Sequence, residues 1–520
     1  MKSIILIIPI IFLLYTTTNG QYYDTSIPNP LVKRNDFINH KPDNLTPPSF
    51  DDIQSKLPEP IWPGRKDVIK CYWNAWKIAF SNLRAVTKEN NFIAPYIDAA
   101  FNKHIFMWDS TFMMLFARYG SNTFNFLGTL DNFYNKQHVD GFISREIAES
   151  NGNEIFEKFD PSSTGPNIMP WAEWEYYLNF KDKERLKAVF IPLLAYYRWL
   201  KIYRCWPDGS YYSSGWGCGM DNQPRIPPGF DPRFSHGFMS WIDTTLQQIF
   251  AGKTLIKMAK ELGNDSEVND ISHEIRYLTD YVNNKMWDPK INFFKDRFRD
   301  GSLSNVKSIA SYWALLAEIV PENQIKPFLS HLENPNEFSR SHRVPTLSAD
   351  DSAYNSNGGY WCGGVWAPTT YMVLRGLTKY NKDSLAYKIA INHLDNVVKV
   401  FNQTGSLWEN YAPDKVKGND TKDMVGWTGL VPISILFEYV FGIRPNVPED
   451  TIVWDIRMTD EFGIDKYPFK QHGLIKFWCA KREKLTDRPK IKIQSNVPFT
   501  LKLIWDGGSK LIKIKNNQGA

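Results

Sequence analysis

Acidic side chains that lie near aromatic residues recur along this sequence. Asp109 follows a tryptophan in "FMWDSTF", and Glu409 follows another in "GSLWENYAPD". Arg145 and Glu146 adjoin in "DGFISREI", and Asp221 lies in "SGWGCGMDNQPR". Hydrolysis of a glycosidic bond needs at least two carboxyl groups in different roles. A protonated carboxyl donates its proton to the leaving oxygen, while an ionised carboxylate activates a water molecule or attacks the sugar. These residues therefore predict a hydrolytic site for sugars.

The stretch 214–225 surrounds its carboxylate with glycines, Trp216 and Arg225. Glycine lets the backbone turn tightly and approach a ligand closely, and tryptophan offers a flat apolar face with a polar edge. The composition favours a pocket wall, although an Asp-Asn pair is also an ordinary turn element. The other acidic pair in a loop, Asp350 and Asp351 in "LSADD", is more typical of a turn that begins a helix.

Rival chemistries lack their motifs in this sequence. There is no G-x-S-x-G nucleophile elbow, no H-E-x-x-H metal motif and no glycine-rich phosphate cradle between a strand and a helix. The nine histidines are scattered, and only His104, His138 and His236 are expected near loop ends. We therefore expect neither a cofactor nor a metal.

Composition places the chain among folded proteins with a large core. Of 520 residues, 43% are hydrophobic and 22% charged, and aromatic residues reach 15% with 19 tryptophans. Such an aromatic content fits a large helical core or an aromatic-lined pocket. The net charge of +5 is too dilute for a nucleic-acid partner. The sequence gives no indication of the oligomeric state.

The N-terminus is typical of a secretory signal. Lys2 precedes an apolar run over 4–15, and Thr18 and Gly20 provide small residues for cleavage before Gln21. An uncleaved anchor stays an alternative, although the run is shorter than the ~20 residues of a membrane span. Four glycosylation sequons agree with a secretory route, at Asn44, Asn264, Asn402 and Asn419. We expect a secreted or luminal glycoprotein, lysosomal proteins included, with no membrane contact after signal removal.

The five cysteines are odd in number, so at least one has no partner within the chain. None forms a C-x-x-C pair, which argues against a zinc site. Cys218 and Cys362 fall in two loops of the predicted site and could pair, but free thiols are the general expectation.

Helical periodicity begins at residue 66, and the preceding segment 21–65, rich in proline, asparagine and aspartate, is predicted to be an extended lead-in. The twelve candidate helices are 66–84, 108–119, 122–137, 170–179, 182–204, 238–262, 265–286, 306–318, 322–333, 361–378, 382–402 and 425–440. From 446 to 520, segments such as "TIVWDIRM" and "KLIKIK" alternate apolar and polar residues and predict a small β unit.

The connections between these helices alternate between short and long. Short links at 120–121, 181, 263–264, 320–321 and 380–381 imply antiparallel neighbours. The long loops are 85–107, 138–169, 205–237, 287–305, 334–360 and 403–424. In an up-down arrangement all six emerge at one end. The pattern predicts a mainly α fold, an (α/α)6 barrel over 66–445, with its site among the long loops.

Over roughly 90–445 the chain resembles the clan of glycoside hydrolase family 63 and the trehalases, with the mannosylglycerate-hydrolase-like subgroup as the nearest match. The resemblance rests on four motifs that occur in the same order in that clan, namely "FMWDSTF", "GMDNQPR", "YWCGGVW" and "LWENYAP". The resemblance implies an (α/α)6 barrel and hydrolysis of α-linked glucosides or mannosides with inversion. It implies Asp221 as general acid and Glu409 as general base. The residues expected to contact the sugar are Trp108, Asp109, Arg145, Glu146, Trp216, Asn222, Arg225, Tyr360, Trp361, Trp366, Asn410, Tyr411 and Trp427.

Departures from the family pattern leave the substrate open. Gln223 stands where relatives carry serine, and Cys362 and Gly364 replace the arginine and proline of "YWRGPVW". A carbohydrate-binding protein without activity and a sugar epimerase or isomerase are the alternatives. Intact Asp221 and Glu409 argue against the first, and the lack of convergent histidines argues against the second.

Overall fold

Twelve helices form a barrel in the computed structural model, which describes residues 27–516. We number them α1 to α12. Their bounds are Lys66–Ser81, Met107–Ala117, Gly128–Asn135, Met169–Phe180, Lys183–Tyr203, Ile242–Leu262, Asn269–Tyr281, Trp313–Leu316, Glu322–Glu333, Ala367–Lys379, Asp383–Thr404 and the π-helix Val431–Val440. Each corresponds to one of the twelve candidates from the sequence.

The even-numbered helices form a closed inner ring. Each contacts the next, and α12 with the 3-10 turn Thr428–Leu430 before it contacts α2 and closes the ring. All eleven residues of α2 are buried, as expected for a helix with protein on every side. The odd-numbered helices lie outside. The (α/α)6 barrel predicted from the alternating links is confirmed.

Several helix ends differ from the periodicity-based prediction. α3 begins at Gly128 rather than 122, because Ser121 and Thr123 donate side-chain hydrogen bonds to the carbonyls of Arg118 and Gly120 and end α2 in turns. The link between α2 and α3 is therefore 121–127, longer than predicted. α10 begins at Ala367 rather than 361, because 360–366 form turns with Tyr360 and Gly363 at positive φ.

The long loops carry short antiparallel hairpins that stiffen one end of the barrel. One pairs His104–Phe106 with Glu146–Ala148, and another pairs Trp408–Tyr411 with Gly418–Lys422. Residues from five of the six predicted long loops, or from their edges, line one shared cavity. The long loops thus meet at one mouth, as the up-down arrangement requires.

Eight strands form a β-sandwich beside the barrel, numbered β1 to β8. They are Glu59–Ile61, Ile443–Asn446, Thr451–Asp455, Phe462–Phe469, Gly473–Cys479, Ile491–Ser495, Phe499–Trp505 and Gly508–Ile514. One sheet has the order β1-β4-β5-β6 and the other β2-β3-β7-β8. Trp454 and Phe499 of the second sheet pack on Phe477 of the first.

The lead-in predicted as extended contributes to the sandwich. Its described part, 27–65, contains short helical turns, and β1 pairs antiparallel with β4. β2 contacts α4 and α12, so the sandwich packs directly on the barrel. The predicted signal segment 1–20 lies outside the described residues.

Candidate active site

The cavity at the barrel mouth has a volume of about 190 Å³. Its wall is largely aromatic and carries a few charged groups. It is lined by Phe101, Asn102, Phe106, Trp108, Asp109, Arg145, Glu146, Gly165, Pro166, Trp216, Gly219, Asp221, Tyr360, Trp361 and Trp427. Pockets for drug-sized ligands measure about 300–1,000 Å³. This smaller space suits a single sugar ring.

The glycines of 214–225 bring Asp221 to the cavity. Residues Gly215–Cys218 form one helical turn, which Gly219 ends at φ +77 with its backbone against the ring of Trp108. A Cβ on Gly215 would come within 2.3 Å of the Pro232 carbonyl and 2.7 Å of that of Asp221 itself. Glycine is therefore required here by close backbone approach.

Asp221 is held in a partly buried position where protonation is favoured. Burial raises the pKa of its carboxyl to about 6. The Arg145 guanidinium lowers this pKa, and the carboxylates of Glu409 and Glu146 raise it. Loss of solvation outweighs the cation, so Asp221 can hold a proton at mildly acidic pH.

Arg145 and Glu146 form one fixed pair on the cavity wall. Arg145 Nη2 lies 2.9 Å from Glu146 Oε2, and its Nε donates to the Ser162 carbonyl at 2.6 Å. His104 Nδ1 lies 2.7 Å from the other oxygen of Glu146. The guanidinium also stacks near the ring of Trp216, 5.7 Å from its centroid. The pair is both an ion pair that braces a loop and part of the cavity lining.

Glu409 lies on the strand Trp408–Tyr411, next to the cavity. Its Oε2 accepts a hydrogen bond from Thr421 N at 3.1 Å. Burial raises the pKa of this carboxyl, while hydrogen bonds from Thr421 and from the Tyr360 hydroxyl lower it. Its charge raises the pKa of both Asp109 and Asp221, so the three carboxyl groups share one electrostatic environment.

The hydrogen-bond donors to the Glu409 carboxylate are not its neighbours along the chain. Asn410 donates instead to Asp420 Oδ2 at 2.5 Å, because successive side chains of a strand point to opposite faces. The Tyr411 hydroxyl accepts a hydrogen bond from Trp408 N at 3.2 Å. Glu409 therefore receives its hydrogen bonds from Thr421 and Tyr360 and not from Asn410 or Tyr411.

Stacked tryptophans support one wall of the cavity. Trp361 lies parallel to Trp366, with ring centroids 3.8 Å apart and an interplanar angle of 8°. Trp366 is fully buried behind it, and Trp361 meets Trp108 edge-on at 6.4 Å. Gln223 fixes this wall, since its Nε2 donates to the carbonyls of Thr346 and Trp361. The glutamine that departs from the family pattern thus orients a pocket loop.

Two buried polar atoms of the cavity residues have no hydrogen-bond partner in the described protein. They are Trp108 Nε1 and Asp109 Oδ1. Burial raises the pKa of Asp109 well above its usual range. A buried unpaired polar group costs about 1–3 kcal/mol.

Not every residue expected to contact the sugar lines the cavity. Arg225 is fully buried and forms bidentate pairs with Asp243 and Asp296. Asn222 accepts a hydrogen bond from Trp361 N at 2.9 Å and so holds the loop above it. Trp366, Asn410 and Tyr411 lie behind the wall.

Sequence reasoning missed six of the lining residues, namely Phe101, Asn102, Phe106, Gly165, Pro166 and Gly219. Phe101 is 39% exposed and stacks on Phe106 at 5.0 Å. The signal in the sequence was an aromatic residue, Phe101, in the loop just before "FMWDSTF".

All five cysteines are free. Cys218 is buried and donates to the Gly215 carbonyl at 3.3 Å, whereas Cys362 donates to the Asn222 carbonyl at 3.1 Å. The possible Cys218–Cys362 disulfide is therefore not formed. No helix within 27–516 is long and apolar enough to cross a lipid bilayer.

Comparisons with known proteins point to one family. The family model described as the mannosylglycerate hydrolase MGH1-like glycoside hydrolase domain matches residues 102–428. An uncharacterised protein of Borreliella burgdorferi is 24% identical over 371 residues, which cover 69% of this chain and 76% of that protein. A probable mannosyl-oligosaccharide glucosidase of Schizosaccharomyces pombe is 23% identical over 407 residues, covering 64% of this chain and 49% of the relative. The chain thus spans about half the length of that glucosidase.

Solved structures share the barrel. The family 63 mannosylglycerate hydrolase of Thermus thermophilus in complex with glucose aligns with a TM-score of 0.57 at 17% identity, over 70% of this chain and 99% of that one. The neutral trehalase of Saccharomyces cerevisiae aligns with a TM-score of 0.55 at 14% identity, over 66% and 73%. At these identities the likeness establishes the fold.

Proposed function

Because the family model matches more than half of the chain, this protein belongs to the mannosylglycerate hydrolase MGH1-like glycoside hydrolase family, and we propose that it is an exo-acting, inverting α-glycoside hydrolase. The observation that carries the proposal is the group of carboxyls at a small aromatic cavity. Asp221, with its pKa raised to about 6, shares that cavity with Asp109, and Glu409 adjoins it.

In the proposed reaction the two carboxyls act on opposite sides of the glycosidic bond. Asp221 donates its proton to the glycosidic oxygen as that bond breaks. Glu409, ionised, takes a proton from a water molecule whose oxygen bonds to the anomeric carbon from the other face. An α-linked sugar is released as the β-anomer, and the proton taken by Glu409 later returns through solvent to Asp221.

The remaining cavity groups suit recognition of a sugar. Trp361 and Trp108 offer apolar faces to the C–H surface of a ring, and the charged side chains of Arg145 and Glu146 in the lining are suited to hydroxyls. The volume of about 190 Å³ supports removal of one terminal residue. Relatives named as glucosidases and as mannosylglycerate hydrolase make α-glucosides and α-mannosides the substrates to test.

A screen of aryl α-glucosides and aryl α-mannosides tests the proposal directly. We expect turnover of one series, with the β-sugar as the first product in an NMR time course. Release of the α-anomer first would overturn inversion. Tight sugar binding without turnover would instead favour a carbohydrate-binding protein.

Two variants test the roles of the carboxyls. Asp221→Asn should lower kcat by about 10²–10⁴ for poor leaving groups and less for activated aryl glycosides, which need no proton. Glu409→Gln should abolish turnover for all leaving groups. Asp350→Asn is the matched control, since Asp350 pairs with Lys307 away from the cavity. Near-normal rates in both test variants would contradict the assignment.

We further propose that the protein follows the secretory pathway to a secreted or luminal location. The proposal rests on the apolar N-terminal run and the four sequons. Expression in a eukaryotic cell with a C-terminal tag tests it, since the mature chain should begin at Gln21 and appear in the medium or in a luminal fraction. A cytosolic chain that begins at Met1 would refute it.

A further inference from the structure

A second cavity, larger than the first, lies between the loop before α6 and the loop before α8. Its volume is about 420 Å³. It is lined by Trp206, Pro207, Asp208, Phe238, Ser240, Arg297, Phe298 and Arg299. None of these residues lines the cavity that holds Asp221, and the proposed reaction uses none of them.

The aromatic side chains of this cavity are held in place by the backbone. Trp206 Nε1 donates to the Met239 carbonyl at 2.8 Å, and its ring is near-parallel to that of Phe238, with an interplanar angle of 24° and centroids 6.3 Å apart. Ser240 and Arg297 exchange backbone hydrogen bonds of 2.8 and 3.1 Å. These hydrogen bonds join the two loops that form the cavity.

Phe238 is exposed at a cost in backbone strain. Its side chain is 44% exposed, and its φ of +50° lies in the left-handed region, which is rare for a bulky residue. Backbone strain of this kind clusters at functional sites. An exposed aromatic ring on a strained backbone therefore points to a ligand-binding surface.

The polar groups of the cavity narrow the class of ligand. Arg297 Nη1 lies 3.8 Å from Asp208 Oδ2, so its charge is already balanced. Arg299 lies over the ring of Phe238, 5.8 Å from the centroid. Asp208 offsets the charge of Arg297, whereas Arg299 has no carboxylate partner among the described residues, so its guanidinium can donate hydrogen bonds to ligand hydroxyls. Planar guanidinium and carboxylate groups around aromatic faces match the hydroxyls and C–H faces of a neutral sugar.

We propose that this second cavity is a saccharide-binding site for neutral sugar units of an oligosaccharide, distinct from the site of hydrolysis. It lies on the side of the barrel mouth where Asp296, the neighbour of Arg297, pairs with Arg225, four residues after Asp221. An oligosaccharide bound here is retained near the reactive cavity. The choice of a sugar as occupant rests on the proposed glycosidase function.

Binding stoichiometry tests the proposal. In the Asp221→Asn background, titration calorimetry with maltotriose, maltotetraose and an α-linked mannotriose should give two saccharides per chain for at least one of these probes. Phe238→Asn removes the ring but tolerates the left-handed backbone, and Arg299→Ala removes the exposed guanidinium. Each should weaken the second site about tenfold or more while leaving the first unchanged.

Controls separate this inference from the proposed function. Phe238→Tyr should keep two sites, and Phe238→Asn in the otherwise wild-type chain should hydrolyse a small aryl glycoside at an unchanged rate. A stoichiometry of one or none, or two sites that are insensitive to Phe238 and Arg299, would overturn the second site. Failure of the wild-type chain to hydrolyse any aryl glycoside would overturn the proposed function without touching the stoichiometry.

Discussion

Asp221 lies under two opposing influences, burial and the neighbouring Arg145, and burial prevails, with a resulting pKa of about 6. As the proposed acid it must hold its proton, so kcat/KM should fall as pH rises through about 6. Glu409 must be ionised, and its pKa is raised above the usual range, so the rate should also fall at lower pH. We expect a bell-shaped profile with an acidic optimum. A profile that rises steadily to pH 8 would contradict it.

Tyr360 tunes the base in this scheme. Its hydroxyl hydrogen-bonds to Glu409 and lowers the pKa of that carboxyl. Tyr360→Phe should therefore raise the pKa of Glu409 and move the acidic limb of the kcat/KM profile to higher pH, narrowing the optimum. The basic limb, set by Asp221, should move less. A uniform loss of rate with both limbs unmoved would show that Tyr360 serves only in packing or substrate contact.

The raised pKa of Asp221 also makes a prediction about stability. The pKa is about 6 in the folded chain against an ordinary value of 3.8, so the folded state binds this proton more tightly. Stability is therefore lost as pH rises between these values, and the loss is complete above the folded pKa. Asp221→Asn should raise the free energy of unfolding by about 1–3 kcal/mol at pH 7 and by little at pH 4. Denaturant unfolding at the two pH values checks this, and equal gains at both would refute the linkage.

At the scale of elements, Arg225 fastens the loop that carries Asp221 to the barrel. Its guanidinium bridges Asp243 of α6 and Asp296 of the next loop, with all three side chains buried. Removing one partner of a buried pair costs about 3–5 kcal/mol, because the remaining charges are left uncompensated. Arg225→Ala should lower stability by about that amount and also lower kcat by misplacing Asp221.

An exposed pair in the same loop provides the control for this prediction. Arg233 pairs with Asp231 at the surface, where ion pairs contribute little. Arg233→Ala should leave both the unfolding midpoint and kcat unchanged. Arg225→Lys should be intermediate, because it keeps the charge but loses the planar fork that meets two carboxylates. Equal effects of Arg225→Ala and Arg233→Ala would remove this role from Arg225.

The elements were predictable where the sequence repeats a pattern and unpredictable where tertiary contacts decide. Helical periodicity gave all twelve barrel helices. It extended α10 back to Trp361, because 361–366 are apolar, whereas the positive φ of Tyr360 and Gly363 turns the chain there. Arg225 lies four residues after Asp221 and was therefore predicted to contact the sugar. Its actual partners, Asp243 and Asp296, are distant in the sequence and are brought to it only by the fold.

At the scale of the whole molecule, the alternation of short and long links puts the chemistry at one end of the barrel. The location of the site follows from that alternation, because the up-down order of the helices is enough to bring the loops of Asp221 and Glu409 to the same end of the barrel. The sandwich was predictable only in part. β1 is a strand of only three residues, and it pairs with β4, some 400 residues later in the chain. A pattern of neighbouring residues cannot predict such a distant pairing.

The described surface also predicts which sequons can carry a glycan if the chain is secreted. Asn44 and Asn402 are exposed. Asn419 is instead packed, since its Nδ2 donates to the Asn357 carbonyl at 2.8 Å and a Cβ on Gly358 would come within 2.4 Å of it. A glycan on that nitrogen would displace the loop over Asn410, beside the proposed base. We therefore expect peptide mapping of the secreted, active protein to find glycans on Asn44 and Asn402 and unmodified Asn419.

Variants at two of these sequons sharpen the expectation. Asn402→Gln should remove one glycan and leave activity unchanged, because its side chain lies on the surface at the end of α11. Asn419→Gln should leave the glycan count unchanged but lower activity, because a longer side chain cannot keep the hydrogen bond beneath Gly358. A full glycan on Asn419 in active protein would contradict the packing of this loop, and with it the arrangement that holds the strand of Glu409.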